Sequence, residues 1–319
     1  MKSNFISVIL PVYNGGEHLR KSVESVLSQE GVDFEFLICD DCSTDESYAY
    51  LQTLSDKRVR LFRNATNCGL FPTLNYLLQE SHGELIHLWS QDDVMLPGCL
   101  AETILFHEKY RDISMSYSGV SYINSQGESI PDNKIDGTPA IISPELHAEI
   151  SVEWGCIAGN IANVTLVKNA LDKYGYFNED YKVSGDFELW VRLGKEQSIG
   201  FLNKRLVALR RHTGQLSRRY SSILYRIQED IPIGKELVNR VRPEMKVVAK
   251  RYLYWKLYPI YFNEVIFLLR KKEFGIARPT LKEIRKVDNI FLLFWRWSFV
   301  RILRMFALDN KFYAFLRKY

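Results

Sequence analysis

Four short apolar runs, Phe5 to Val12, Phe34 to Cys39, residues 59–63 and Leu85 to Trp89, each precede a stretch of helical periodicity. That alternation constrains the chain more than any other feature. After the first run comes a turn at Asn14-Gly15-Gly16, then a helix whose apolar positions Leu19, Val23, Val26 and Leu27 keep helical spacing. Helices near 46–54, 71–80 and 99–110 follow the other three runs. Strands that alternate with helices predict an α/β fold: a mainly parallel sheet with helices on both faces. A further strand is expected over Ser114 to Ile123, with a turn at Ser125-Gln126-Gly127. Residues 131–150, rich in Pro, Asp and Gly, read as a loop that can order over a ligand, and a partly buried helix starts at Gly185-Asp186. Beyond residue 220 the strand signals stop and long helical patterns take over, which divides the chain into a 1–219 domain and a helical 220–319 region.

Two acidic clusters stand directly behind strands: Asp40-Asp41-Cys42-Ser43-Thr44-Asp45 and Ser90-Gln91-Asp92-Asp93. In an open α/β sheet, ligands bind beyond the carboxyl ends of the strands, so both clusters would face one crevice. Carboxylates gathered there suit a hard divalent cation, which commonly bridges protein to substrate phosphates. The natural guess for the ligand is a nucleotide diphosphate. No G-x-G-x-x-G follows the first strand, which argues against a dinucleotide-binding dehydrogenase.

The formal net charge of +4 hides an asymmetry. Residues 220–319 hold 21 Lys/Arg against 9 Asp/Glu, whereas residues 1–219 hold 21 against 29. An acidic body with a basic, aromatic tail suggests a metal-dependent catalytic region joined to something that touches an anionic surface. Five irregularly spaced cysteines make a disulfide framework improbable and favour a reducing cytosol; Cys39-x-x-Cys42 has no second pair to complete a zinc site. The apolar run behind Met1 is broken at Pro11, too short for a secretory signal.

Seven segments in chain order, from Val8-Ile9-Leu10-Pro11-Val12-Tyr13-Asn14 through the two acidic clusters to Arg210-Arg211-His212, resemble an inverting family-two glycosyltransferase with the GT-A fold, of the bacterial surface-polysaccharide type, over roughly residues 5–217. Val8-Ile9-Leu10-Pro11-Val12-Tyr13-Asn14 is similar to the family's opening strand, and Ser25-Val26-Leu27-Ser28-Gln29 to its first helix. Asp40 to Asp45 resembles the nucleotide-binding D-D-G-S-T-D, with Cys42 in the glycine position. Asn67-Cys68-Gly69 with Asn75 resembles the N-x-G and downstream Asn. Ser90-Gln91-Asp92-Asp93 stands where the family commonly has D-x-D-D, so Ser90 replaces the first acid. Ser184-Gly185-Asp186-Phe187-Glu188-Leu189-Trp190 resembles E-D-x-D-L-W, with Gly185 in place of the Glu, and Arg210-Arg211-His212 to Ser217 resembles R-x-H-x-x-S.

The resemblance implies transfer of a sugar, of hexosyl or deoxyhexosyl type, from a nucleotide-diphosphate donor to a glycan or lipid-linked acceptor, with a UDP- or dTDP-sugar favoured. It places Pro11, Tyr13, Asn14, Asp40, Asp41, Asn67, Gly69, Gln91 and Arg211 at the nucleotide, and Asp93, Trp154 and Gly155 at the donor sugar or acceptor. A divalent cation, Mn²⁺ or Mg²⁺, would sit on Asp92 with His212. Asp186 is the candidate general base, and helix capping is its structural alternative. Stacking of Trp154 on a sugar and burial of Trp154 in the core are both open, as are metal binding and a structural role for His212. A catalytically silent sugar-nucleotide-binding or scaffold protein is the alternative function, supported by Ser90 and Gly185.

At helical period, Phe291, Trp295, Phe299, Ile302 and Phe306 share one face, with Arg296, Arg301 and Arg304 on the other. Three arginines exclude a simple membrane span, leaving either an interfacial helix on anionic lipid or packing on the catalytic domain or a second subunit. The expected location is cytoplasmic, peripheral on the inner face of the membrane. Nucleic acid is not an expected partner, because the aromatics do not interleave with the charges.

Overall fold

A computed structural model describes residues 5–132, 137–211 and 220–318. The elements in chain order are β1 (Phe5–Val12), α1 (Leu19–Leu27), β2 (Asp33–Asp40), α2 (Ser47–Gln52), β3 (Val59–Arg63), α3 (Leu70–Glu80), β4 (Leu85–Leu88), β5 (Val94–Met95), α4 (Cys99–Lys109), β6 (Ile113–Ile123), β7 (Ser129–Ile130) and β8 (Ile141–Ile142). Then follow α5 (Pro144–Trp154), β9 (Val164–Val167), α6 (Lys168–Tyr174), α7 (Gly185–Glu196) and β10 (Ser198–Arg210). The helical remainder comprises α8 (Tyr220–Arg240), α9 (Lys246–Tyr252), a π-helical turn Leu253–Leu257, α10 (Tyr258–Arg270), α11 (Phe274–Ile284), α12 (Ile290–Met305) and α13 (Asp309–Lys318).

Two compact units result. The first holds Met1–Pro144, Ala158–Asp180 and Asp186–Thr213; the second holds Glu145–Ile157, Tyr181–Gly185 and Gly214–Tyr319. In the first, one sheet runs β3-β2-β1-β4-β9-β6-β10-β5, with β7 beside β6 and β8 beside β10. The β3-β2-β1-β4 half is parallel, as the strand–helix alternation predicts. β9 pairs antiparallel with both β4 and β6, and β6 returns to parallel pairing with β10. The sheet is therefore mixed, with its longer ladders parallel. Ile6, Val8, Leu10, Phe36, Ile38 and Trp89, all buried, form its core with Leu19, Val23 and Val26 of α1. The burial follows from the sequence: these strands carry few polar side chains, which is the composition of a sheet covered on both faces.

One polar cluster sits inside that apolar layer. Glu35, in mid-β2, accepts bonds from the Ser7 hydroxyl (2.7 Å) and the His82 amide (2.6 Å), and pairs with Arg60 (3.1 Å). Burial pushes its pKa up, but the Ser7 hydroxyl, the His82 amide and Arg60 outweigh this, and the carboxyl ends below its ordinary value.

The expected loop over 131–150 is corrected: its second half forms β8 and the start of α5. Helix α5 ends at Gly155, whose φ of +81° and amide bond to the Ser151 carbonyl (2.8 Å) make it the glycine past a helix C-terminus.

In the second unit, Glu229 of α8 accepts the amides of Lys182 (2.7 Å), Val183 (3.0 Å) and Ser184 (2.7 Å). The neighbouring Asp230 accepts the hydroxyls of Ser184 (2.6 Å) and Tyr261 (3.1 Å), and burial raises its pKa. Two consecutive acids of one helix thus fix the backbone of residues 182–184.

Candidate active site

Strand order puts the carboxyl ends of β2, β1 and β4 side by side, and the chain extends the pairing past each strand. Asp41 N–H donates to the Val12 carbonyl (2.7 Å) and Trp89 N–H to the Ile9 carbonyl (2.9 Å). The three following loops are stitched by side chains. Gln91 and Tyr13 exchange two bonds, Tyr13 N–H to Gln91 Oε1 (2.9 Å) and Gln91 Nε2 to the Tyr13 carbonyl (3.2 Å). Asn14 N–H donates to Ser43 Oγ (3.0 Å), while Asn14 Oδ1 accepts the Thr44 amide (2.8 Å). Gly15 and Gly16 donate to Ser47 Oγ (2.9 Å) and Asp45 Oδ2 (3.1 Å). Tyr13 stays exposed at the rim.

The two adjacent aspartates do different work. Asp40 is fully buried; its Oδ2 accepts the Ser43 amide (3.1 Å) and pairs with Arg63 (3.2 Å). Asp41 gathers Asn64 Nδ2, the Cys68 amide and the Gly69 amide, each at 2.8 Å. Gly69 is the N-cap of α3 and has no side chain to cap with, so Asp41 caps that helix from another loop. Asn67 Nδ2 adds a bond to the Asp41 carbonyl (3.3 Å). Cys42, standing where the family carries glycine, has φ +61°, the left-handed conformation that favours glycine. Cys39 and Cys42 are both free thiols, and burial, then Asp41 and Asp40, push the Cys39 thiol up to about 12.

In the second acidic cluster, Asp93 is buried and accepts the Arg210 amide (2.7 Å). Burial pushes its carboxyl up to about 6 against that amide, and the charge of Asp92 pushes the same way. Asp92 is only partly buried. Arg210, itself 2% exposed, donates from Nε to the Asp92 carbonyl (2.8 Å) and from Nη1 to the carbonyls of Asn124 (3.0 Å) and Ser125 (3.1 Å). The two consecutive arginines are thereby distinguished: Arg210 holds the acidic turn from inside, and Arg211 is exposed with its guanidinium 3.7 Å from the Tyr122 ring centroid. Sequence reasoning quoted Arg210 in the R-x-H-x-x-S segment but gave it no role; its signal was the last position of a strand that had not been read. Among the described residues no three His, Cys, Asp or Glu side chains form a group that could hold a metal, and His212 lies outside the described residues. The partly buried Asp92 offers hard oxygen donors of the kind Mg²⁺ and Mn²⁺ accept, so the donor chemistry fits a divalent cation completed by substrate phosphate.

Asp186 stands in the first turn of α7, where its Oδ1 accepts the Phe187 amide (2.7 Å). The helix is locked by Glu188–Arg192 (2.8 Å), with Arg192 also donating to the carbonyls of Tyr174, Gly175 and Tyr176. Trp190 packs edge-on against Phe177 (6.0 Å), which stacks on Phe71 of α3 (5.4 Å). Asn75 of α3 fixes that segment by donating to the Phe177 carbonyl (2.9 Å) and accepting its amide (3.0 Å). Pro11, Tyr13, Asn14, Asp40, Asp41, Asn67, Gly69, Gln91, Asp92 and Asp93 therefore share one sheet edge. Trp154 and Gly155 belong to the other unit. Trp154 is 70% exposed, not a core residue, and carries Lys256 Nζ at 4.2 Å from its ring centroid.

Residues 7–161 match the family model described as Glycosyl transferase family 2. An uncharacterised glycosyltransferase of Rickettsia prowazekii is 26% identical over 257 residues, covering 78% of this chain and 76% of that protein. The Escherichia coli UDP-Glc:alpha-D-GlcNAc-diphosphoundecaprenol beta-1,3-glucosyltransferase WfgD is 25% identical over 203 residues, covering 64% of this chain and 75% of its own length. Among solved structures, S. aureus TarS 1–349 in complex with UDP-GlcNAc superposes with a TM-score of 0.57 at 16% identity, over 89% of this chain and 93% of that one. Another TarS structure aligns with a TM-score of 0.58 and 18% identity over 79% of this chain, which spans only 43% of it. The likeness shows the fold, GT-A.

Proposed function

From the premise that this chain carries a glycosyl transferase family 2 domain, we propose that it is an inverting glycosyltransferase of surface-polysaccharide synthesis. It moves a hexosyl or deoxyhexosyl group from a UDP- or dTDP-sugar to a hydroxyl of a glycan or lipid-linked acceptor. The observation that carries this reading is the shared edge of β2, β1 and β4, where Tyr13, Asn14, Asp41, Gln91, Asp92 and Asp93 meet inside the family-matched segment. Binding of UDP-GlcNAc by TarS and use of a UDP-sugar by WfgD support the donor class.

In the mechanism, Asp186 takes the proton of the acceptor hydroxyl as that oxygen attacks the anomeric carbon and the nucleoside diphosphate leaves from the opposite side. Its Phe187 contact fixes the orientation of the carboxylate. Asp40 and Asp41 set the loops that receive base and ribose, Pro11, Asn67, Gly69 and Gln91 complete that surface, and Arg211 offers charge to the diphosphate. Asp92, with His212, would hold a divalent cation, and the adjacent Asp93 would serve the sugar or the metal. Bound there, Mn²⁺ or Mg²⁺ supplies charge neutralisation for the departing diphosphate. By the resemblance alone, Trp154 and Gly155 are candidates for contact with the donor sugar or the acceptor. The protein works peripherally on the inner face of the cytoplasmic membrane.

The test is release of nucleoside diphosphate from a panel of UDP-, dTDP- and GDP-sugars, with and without Mn²⁺ or Mg²⁺ and with lipid-linked acceptor. Metal-dependent release from one donor, lost in Asp92→Ala and in Asp186→Asn, is the expected result. Binding of a donor without turnover under every condition would instead establish the silent sugar-nucleotide-binding protein, which Ser90 and Gly185 favour.

A further inference from the structure

The exposed side of α12 carries large apolar side chains along most of its length. Leu293 and Val300 point inward and are buried, whereas Phe291 is 82% exposed, Met305 81% and Phe306 just beyond the helix 68%, with Trp295 and Ile302 above half. An amphipathic helix on a water-facing surface has the reverse arrangement. The arginines flank this stripe instead of opposing it: Arg296 turns back to pair with Asp288 and lie over Tyr254, while Arg301, over the Trp297 ring, and Arg304, 3.5 Å from Asp309, stay exposed. Aromatic packing backs the helix. Trp255 packs edge-on against Trp295 (5.5 Å), Phe299 (5.9 Å) and Phe312 (5.2 Å), joining α12, α13 and the π-helical turn. Helix α13 continues the pattern with Phe315 exposed between Lys311 and Arg317. No helix among the described residues is long and apolar enough to cross a membrane.

We infer that the outward face of α12, with Phe315 of α13, is a docking surface for an anionic lipid bilayer, with Phe291, Trp295, Ile302, Met305 and Phe306 entering the headgroup–acyl boundary. Charge selects this occupant. Residues 220–319 carry 21 basic against 9 acidic side chains, which complements anionic headgroups. A second copy meeting the same face across a two-fold axis would bring the exposed Arg301 and Arg304 of one copy toward those of the other. Aromatic and aliphatic side chains flanked by arginines are what an interfacial helix presents. The inference rests on the second unit's own surface and holds whichever sugar the first unit transfers.

The test is co-sedimentation of the full chain with vesicles of equal parts phosphatidylglycerol and phosphatidylcholine, and with phosphatidylcholine alone. Binding to the anionic vesicles, weakened by salt, is expected. Each apolar side chain inserted is worth at least about tenfold in partition, so Phe291→Gln/Met305→Gln/Phe306→Gln should weaken binding by at least about a thousandfold. Arg301→Glu should cost about fivefold or more. None of these side chains is buried, and an unchanged circular dichroism spectrum and donor turnover in solution keep the variants interpretable. No sedimentation of the wild type, sedimentation indifferent to the triple variant, or equal binding to neutral vesicles would overturn the inference. So would a dimer seen by analytical ultracentrifugation that the triple variant dissociates while vesicle binding is absent.

Discussion

Replacing Asp41 by Asn is nearly isosteric, so it changes charge and hydrogen bonding without opening a cavity. One oxygen becomes an amino group. If it lies at the Oδ2 position it faces the Gly69 N–H, two donors meet, and that amide loses its partner at the start of α3. Stranding this partly buried donor, which had bonded a charged group, costs about 1–2 kcal/mol. The bonds from Asn64 and the Cys68 amide survive but lose their charge assistance, about 0.5–1 kcal/mol each. The favourable negative charge at the N-terminus of α3 is lost as well. The expected destabilisation of the first unit is about 3 kcal/mol. Urea unfolding followed by far-ultraviolet circular dichroism reads the total, and hydrogen exchange over residues 70–80 localises it. A loss under about 0.5 kcal/mol, with α3 amides as protected as in the wild type, would refute the claim that Asp41 caps this helix.

Cys42→Gly should stabilise by up to about 1 kcal/mol, because glycine holds φ +61° without the Cβ penalty; a lowered melting temperature would contradict the strain. His87 and His107 are buried and held near pKa 4, and His147, beside Arg240, near 3, in each case first by burial. Against an unfolded value of about 6.5, the folded chain binds fewer protons below that pH. Their contribution is complete above about pH 6.5 and drains as pH falls through the folded values, roughly 1 kcal/mol per ring by pH 5.5, which urea midpoints across that range will show. Glu229→Ala removes the acceptor of three amides and should destabilise the second unit by about 2–4 kcal/mol, with faster exchange at residues 182–184; an unchanged midpoint would deny it the bracing role. Asp186→Asn should lower turnover about 10²–10⁴-fold with donor affinity kept, whereas a purely capping Asp186 would leave turnover near normal.

The parallel half of the sheet was legible because its strands are short apolar runs with turn residues behind them, and the acidic clusters followed from that placement. The other half was not. β9 is four residues long, and β10 is interrupted by register shifts near Leu202 and Arg205 that break its alternation. Helix α5 hides behind a Pro- and Gly-bearing stretch whose composition resembles a loop. Glu35 was invisible as a core residue, since a lone acid in an apolar run gives no sign of the Ser7, His82 and Arg60 partners that gather from elsewhere. On α12 the apolar stripe was legible, but which way it faced was not. Periodicity fixes a face without saying whether protein or surroundings lie against it.

Arg210 also bears on synthesis of the chain. Asp93 waits for an amide 117 positions downstream, and the parallel partner of β6 is contributed by the same late strand. As the polypeptide leaves the ribosome, the acidic turn exists long before the residue that clasps it. A fragment stopping at residue 161, where the family match ends, would contain nearly every acid of the nucleotide edge and lack the strand that seats them. Such a fragment should be insoluble or fail to bind donor, and adding chain through β10, not further motif residues, should restore it.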